Sequence, residues 1–481
     1  MRRRAGAVKE RMPRTKIICT IGPASESVQS LRGLVRAGMD VARINFGHGD
    51  HATHARSLAA LRQAADAEGR QIAVMGDLQG PKLRVGQLEG GSLQLVAGET
   101  VMLTEGSGPG AADEIPVPHP HLLPALRPGQ RVLLDDGKLE LIVSGKLRKG
   151  KLPCRVVTGG RLKPRKGINV PGATLSCAAL NAKDRQDVGF AVDNGLDFLA
   201  LSYVCKAEDV RDLRRLLLEH ESAIPIIAKI EKPEALIVFD EILAEADGVM
   251  VARGDLGVET PAEEVPFHQK RIVRACNQAA KPVIIATQML QTMIENPSPT
   301  RAEASDIVNA ILDGTDAVML SGETAIGKYP VIAAETMAKV CANAEAHLAE
   351  PRPGHGLESG FADVTTAISS AAVDIAGGVG AQAIITATMS GMTARMVARH
   401  RPAMPIVAVT PSPATLSRLS LVWGVEPVKV EPFDNTDDMV ALMIAAASRL
   451  GIVAAGDMVV LTAGIPFGHG QTNLLKVHTV D

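Results

Sequence analysis

Pro225-Ile-Ile-Ala-Lys-Ile-Glu231, a helix-period segment over 234–245, and Gly248-Val-Met-Val-Ala-Arg-Gly-Asp255 follow one another along the chain. Two short β-branched runs separated by an amphipathic stretch make a strand–helix–strand unit. Strands joined in this way pair in parallel, because the chain crosses back over the sheet each time. The same rhythm extends in both directions. Candidate strands fall at 16–20, 41–45, 72–77, 198–202, 225–229, 248–252, 283–287 and 317–321, and helix-period segments at 27–37, 54–67, 210–219, 264–279 and 302–312. Eight such units predict a closed (β/α)8 TIM barrel within an α/β protein.

One interval breaks the rhythm. Residues 78–197 are rich in Gly, Pro and short alternating segments, at 92–96, 131–134, 139–143 and 152–158, with turns at Arg127-Pro-Gly-Gln130 and Asp135-Asp-Gly137. That texture predicts a small β domain inserted after the third strand. After the barrel, Glu350-Pro-Arg-Pro-Gly-His-Gly356 reads as a linker. A second α/β pattern follows, with strands near 383–386, 406–409, 458–462 and 474–480. The expected organisation is a basic tail over 1–14, a barrel over 15–81 and 173–350, a β insert over 82–172, and a C-terminal α/β domain over 357–481.

Composition narrows the function classes. A chain of 481 residues is expected to hold two to four domains, and 46% hydrophobic with 22% charged residues describes a packed protein rather than a disordered one. Lys+Arg 51 against Asp+Glu 53 leaves a net charge of -2, without the positive excess of a nucleic-acid coat. Aromatics at 2% leave little for base stacking. No apolar run is long enough to span a membrane, and the basic start has no apolar segment behind it to make a secretory signal. Cys19, Cys154, Cys177, Cys205, Cys276 and Cys341 are scattered, with no C-x-x-C among them, as expected of reduced and mostly buried thiols in a cytoplasmic protein.

A barrel works at the carboxyl ends of its strands. Those ends carry Thr20, Arg43 with Asn45, Asp77, Ser202, Lys229 with Glu231, Arg253 with Asp255, Thr287 with Gln288, and Ser321 with Glu323. A lysine or carboxylates beside buried runs such as Ile226-Ile-Ala228 cost several kcal/mol unless they pair or hold a cation. Glu231 and Asp255, from neighbouring strand ends, suit a hard divalent ion, Mg²⁺ or Mn²⁺. Other signals are weaker. Gly322 to Lys328 nearly spells a Walker A loop, but Tyr329 stands where Ser or Thr is required. His48, His51 and His54, with Asp50, read as a polar helix start.

Six segments in this order closely resemble the pyruvate kinase family: Thr15-Lys-Ile-Ile-Cys-Thr-Ile-Gly-Pro-Ala-Ser25, Arg43-Ile-Asn-Phe-Gly-His-Gly49, Lys229-Ile-Glu231, Met250-Val-Ala-Arg-Gly-Asp-Leu-Gly257, Ala286-Thr-Gln-Met-Leu290 and Ser321-Gly-Glu-Thr324. The resemblance implies a TIM barrel with a small β-barrel lid after strand three and a C-terminal α/β domain. It implies phosphoryl transfer from phosphoenolpyruvate to ADP with Mg²⁺ or Mn²⁺. Glu231 and Asp255 would hold the metal, Lys229 would face the transferring group, and Arg43 would clamp the phosphate. Asn45, His48 and Arg84 would lie on the nucleotide side. Amides at Gly254 and Asp255 would receive the substrate carboxylate, and Thr287 would take part in proton delivery. Asp136 would approach the nucleotide as the lid closes.

The potassium region departs from the family pattern. Potassium-dependent members carry serine where Gly47 stands, and glutamate where Asp77-Leu-Gln-Gly-Pro-Lys82 ends in lysine. A tethered ammonium replaces a bound monovalent cation, so Asn45, Gly47, Asp77, Leu78 and Lys82 are expected to form a K⁺-independent site. In the C-terminal domain Thr388-Met-Ser-Gly-Met-Thr393 matches the family's effector loop through Thr388, Ser390, Gly391 and Thr393; a well-capped turn is the other reading. Relatives are usually homotetramers. A Mg²⁺-dependent carbon–carbon lyase of pyruvate enolates on the same barrel, or an inactive metabolite-binding regulator, are the competing functions.

Overall fold

The computed structural model describes residues 13–172, 179–348, 363–433, 435–465 and 471–481. Cys177, the linker over 350–356, most of the basic tail, and the expected limits at 173, 350 and 357 lie outside them.

The eight barrel strands are β1 (Lys16–Thr20), β2 (Val41–Asn45), β3 (Ala73–Asp77), β4 (Phe198–Leu201), β5 (Ile226–Ile230), β6 (Gly248–Ala252), β7 (Val283–Ala286) and β8 (Ala317–Leu320). All pair in parallel, and β8 returns to β1 to close the barrel. Strand periodicity sorts the side chains. Ile18, Val41, Met75, Ile227, Met250 and Ile284 fill the interior, while Ile17, Cys19, Ala42, Ile44, Ala228 and Ile230 pack outward under the helices. Continuing the alternation to the carboxyl ends places Arg43, Asp77, Lys229 and Glu231 on the interior side.

Capping residues set several of the helix limits. Ser27 accepts from the Ser30 amide to start helix Val28–Ala37, and Gly38, at φ 108°, ends it. Asp50 caps helix His51–Glu68, in agreement with the polar helix start read at the histidines. The single helix expected over 234–245 is two, Pro233–Ile237 and Phe239–Glu245, broken at Val238.

The insert has its own apolar core. It holds a six-stranded sheet ordered Ile168–Asn169, Arg131–Leu134, Leu139–Val143, Lys151–Thr158, Thr100–Glu105, Glu114–Val117, beside a ribbon of Leu93–Leu95 with Gly160–Leu162. Segment 83–87 links the two edges, as expected of a small β-barrel: the Ile168 amide bonds the Leu83 carbonyl at 3.0 Å, the Val85 amide the Lys166 carbonyl at 2.8 Å, and the Gly86 amide the Pro116 carbonyl at 2.8 Å. Asp135, Asp136 and Gly137, all at positive φ, make the turn read from the sequence.

The C-terminal domain pairs β9 (Ala383–Ala387), β10 (Ile406–Thr410), β11 (Val425–Lys429), β12 (Met458–Ala463) and β13 (Leu474–Thr479) in the order β11-β10-β9-β12-β13, with β13 antiparallel. Sequence reading missed β11, because Glu426, Pro427 and Lys429 interrupt its apolar run. Such residues are tolerated at a sheet edge, where β11 lies. This domain also completes the barrel: Leu421 joins the interior cluster. Across the same joint Lys16 Nζ donates to the Val425 carbonyl at 2.9 Å, and Arg401 reaches Asp316 at 2.9 Å. Trp423 lies between two guanidiniums, Arg14 at 5.4 Å and Arg401 at 5.1 Å from its ring. No helix among the described residues is long and apolar enough to cross a membrane.

Candidate active site

The ends of β2, β3, β4 and β5 converge on one buried ionic network. Arg43 Nε donates to Asp77 Oδ2 at 2.7 Å, and its Nη1 donates to Thr20 Oγ1 at 3.0 Å. Lys229 Nζ meets Asp77 Oδ1 at 3.1 Å, Ser202 Oγ at 2.6 Å and Glu231 Oε1 at 2.9 Å. Glu231 Oε2 accepts the Tyr203 amide at 2.9 Å. Asp77 and Glu231 are each 2% exposed. Burial alone would raise the Asp77 carboxyl, but Arg43 and Lys229 hold it below the ordinary carboxylate value. Burial also opposes the charge on Lys229; Asp77 and Glu231 outweigh it and lift the ammonium above its usual value. Glu231 moves upward, through burial first and then through the neighbouring Asp255 charge, against the pull of Lys229.

Two cations therefore face three carboxylates, counting Asp255, and the excess negative charge lies between Glu231 and Asp255. Among the described residues no third carboxylate, histidine or cysteine joins them in a ligand cluster. That donor set fits Mg²⁺ or Mn²⁺, which bind through one or two carboxylates and complete their shell with water and substrate oxygens.

Thr287 follows β7 at φ 70°, with Gln288 at 57°. A β-branched residue in that region is strained and is held only by its surroundings. Its hydroxyl donates to the Ala286 carbonyl at 2.6 Å and accepts the Gly254 amide at 2.7 Å. A Cβ at position 254 would stand 3.2 Å from that hydroxyl oxygen, so glycine permits the approach. The Gly254 amide expected to face a substrate carboxylate is thus engaged by Thr287, at the start of the short helix Arg253–Glu259 that also carries Asp255.

The nucleotide-side candidates surround a loop. Asn45 folds its Oδ1 back onto the Gly47 amide at 3.0 Å, and a Cβ at Gly47 would stand 3.1 Å from the same oxygen. His48 is exposed; partial burial first, then Arg84, Lys82 and Arg43, push its imidazole below its usual value. Leu78 is buried, its amide bonded to the Ala200 carbonyl at 2.9 Å. Lys82 makes no ion pair within 4 Å among the described residues, and its Cε lies, like Asp136 Oδ1, near Gly167 of the insert. Arg84 Nη1 donates to the Arg165 carbonyl at 3.0 Å. Thr388, Ser390, Gly391 and Thr393 belong to the C-terminal domain, away from this site. There Thr388 Oγ1 accepts the Gly391 amide at 2.9 Å, and Thr393 Oγ1 meets Thr472 Oγ1 at 2.8 Å.

Sequence reading missed a clasp between barrel and insert. Glu259 is 6% exposed, pairs with Lys232, and accepts from the Asn169 amide at 2.7 Å. Lys232 lies 5.8 Å from the ring of Tyr203, itself at φ 58°. Lys232 directly follows Glu231 at a strand end, a position legible in the sequence; Asn169 and Glu259 gave no local signal.

A closed parallel barrel, an inserted domain and charged groups gathered at the strand ends define an enzyme of the (β/α)8 class. The chain belongs to the pyruvate kinase family and is a phosphotransferase. The family description "Pyruvate kinase, barrel domain" matches residues 12–334, and "Pyruvate kinase, alpha/beta domain" matches 366–478. Among curated relatives, a pyruvate kinase of Geobacillus stearothermophilus is 47% identical over 472 residues, covering 97% of this chain and 80% of that protein. One of Mycobacterium tuberculosis (strain CDC 1551 / Oshkosh) is 44% identical over 469 residues, covering 97% and 98%. The crystal structure of a pyruvate kinase from Cryptosporidium parvum superposes with a TM-score of 0.92 at 38% identity, covering 98% of this chain and 96% of that one.

Proposed function

We propose that this enzyme transfers the phosphoryl group of phosphoenolpyruvate to ADP, giving pyruvate and ATP, with Mg²⁺ or Mn²⁺ held by Glu231 and Asp255 and without a requirement for K⁺. The observation that carries the reading is the Lys229 ammonium, buried among Asp77, Ser202 and Glu231 beside that carboxylate pair. An oxygen of the ADP terminal phosphate attacks phosphorus, the bond to the enol oxygen breaks, and the enolate takes a proton at its methylene carbon. A divalent ion held by Glu231 and Asp255 would supply neutralisation of the negative charge on substrate oxygens. Lys229 opposes the charge developing on the transferring group, and Arg43, fixed by Asp77 and Thr20, clamps it. The Thr287 hydroxyl proton is already given to the Ala286 carbonyl. Thr287 therefore orients a water that delivers the proton rather than surrendering its own.

K⁺ independence rests on Lys82 and Gly47. Lys82 has no carboxylate partner among the described residues, and its charge is felt at His48, next to the Asn45–Gly47 turn. The Asn45 oxygen accepts the Gly47 amide at 3.0 Å. The same reading includes the domain limits given above, Arg84 and Asp136 on the nucleotide side, an effector at the 388–393 loop, a cytoplasmic location and a homotetramer. The deciding assay follows pyruvate formation with Mg²⁺ in K⁺-free buffer, then with K⁺ added. Equal turnover in both supports the whole reading; turnover only with K⁺ keeps the kinase and removes the role of Lys82; none in either overturns it.

A further inference from the structure

Lys82 has a long, flexible stem, and among the described residues no carboxylate grips its ammonium. Its place beside the cation region is therefore set by its backbone, and that backbone is held by the first turn of helix Ala182–Asp193. Gly80, two residues before Lys82, stands at φ 66°, where a Cβ would lie 2.9 Å from the Tyr203 ring. Both backbone polar groups of Gly80 are taken by the helix end. Its amide donates to Asp184 Oδ1 at 3.2 Å, and its carbonyl accepts from Asn181 Nδ2 at 2.9 Å. The same carbonyl accepts the Lys82 amide at 2.9 Å, closing a tight turn around Pro81. The next residue of the helix reaches the other half of the region. Lys183 Nζ donates to the Phe46 carbonyl at 2.7 Å and to Asp187 Oδ2 at 2.7 Å. Phe46 lies between Asn45 and Gly47, so one helix turn grips both loops.

An ordinary capping box explains part of this arrangement. Asn181 Oδ1 accepts the Asp184 amide at 2.9 Å, and Asp184 Oδ2 accepts the Asn181 amide at 3.0 Å. Capping leaves Asn181 Nδ2 and Asp184 Oδ1 over, and both are turned to Gly80. An aspartate would cap as well as Asn181, but it has no proton to give to the Gly80 carbonyl. Asp184 is fully buried; burial raises its carboxyl, against the pull of the Asn181 and Gly80 amides. A carboxylate sealed from water without a cation beside it is a cost that a solvent-exposed helix cap does not carry.

We propose that Asn181, supported by Asp184, is a positioning residue for the reaction: it fixes Gly80, and through Gly80 the point from which Lys82 projects its ammonium into the monovalent-cation region. The inference rests on the reading of Lys82 as the built-in cation given above. Asn181 touches no reacting atom and acts through Lys82 alone. A lysine without a carboxylate to catch it delivers its charge to one place only when the chain beneath it is rigid, and the doubly held Gly80 peptide with Pro81 supplies that rigidity.

The test measures turnover of the full chain without and with K⁺ in wild type, Lys82→Met, Asn181→Ser and the double variant. Serine keeps the helix cap but is too short to reach the Gly80 carbonyl. Each single substitution is expected to lower K⁺-free turnover about tenfold, and the double variant to fall no further than Lys82→Met alone. The ratio of turnover with K⁺ to turnover without it should move in Asn181→Ser in the same direction as in Lys82→Met. A merely structural loss lowers both rates and leaves that ratio where it was. Wild-type turnover in Asn181→Ser, losses that multiply in the double variant, or a ratio unmoved in Asn181→Ser alone overturns the proposal and leaves the role of Lys82 standing. A wild type active only with K⁺, or unchanged turnover or ratio in Lys82→Met, removes the role of Lys82 and the proposal with it. Asn181→Asp, equal in shape and also a capping residue, takes the place of Asn181→Ser should that variant fail to fold.

Discussion

Lys229 stands where three oxygen acceptors meet, so its removal acts on chemistry and on stability together. Lys229→Met leaves Asp77 bound to Arg43 but strips Glu231 of its cation. Turnover is expected to fall by about 10²–10³-fold, and thermal unfolding to report a loss of about 3–5 kcal/mol, because a buried carboxylate is left without its partner. Lys229→Arg is the control: it keeps the charge but cannot reproduce one ammonium shared by three acceptors, so it should recover stability more than turnover. At this scale much of the site was legible. Alternation along β2, β3 and β5 already directs Arg43, Asp77, Lys229 and Glu231 inward. The strained backbone at Tyr203 and Thr287 was not, since left-handed non-glycine residues arise from tertiary constraint and leave no local signal. The engagement of the Gly254 amide by Thr287 was hidden for the same reason.

At the scale of elements, two clamps carry expectations of their own. Glu68, the last residue of its helix, receives Arg32 and Arg36 from helix Val28–Ala37. Those bonds lower its carboxyl from 4.5 to about 2. A depressed carboxylate contributes stability that is present above its unfolded value and lost as pH falls through its folded one. Acid unfolding followed by circular dichroism should therefore show wild type more resistant than Glu68→Gln above about pH 4.5, with the difference shrinking toward about pH 2. The second clamp holds the insert through Asn169 to Glu259. In Asn169→Ala the lost bond to a buried carboxylate is worth about 1–2 kcal/mol, expected to raise KM for ADP about tenfold with kcat changed far less. Equal loss in kcat and KM would show that the residue supports the chemistry rather than the lid. The barrel strands were readable from their apolar runs. Edge strand β11 was not, because Pro427 and its charged neighbours look like a loop until a neighbouring strand supplies the pairing.

For the whole molecule, the barrel is not a closed body with an appendage attached. Leu421 seals its interior from the C-terminal domain, and Arg14, Lys16 and Asp316 cross the same joint. Sequence rhythm announced two α/β bodies but gave no sign of how they dock, since docking depends on residues far apart in the chain. That joint also holds the chain's one tryptophan, Trp423, between Arg14 and Arg401. The protein therefore carries a built-in optical probe at the seam. The indole emission reports the electric field of two guanidiniums, and it shifts when the domains part or turn. A movement between catalytic and C-terminal bodies, whatever prompts it, can be followed by native fluorescence without attaching a dye.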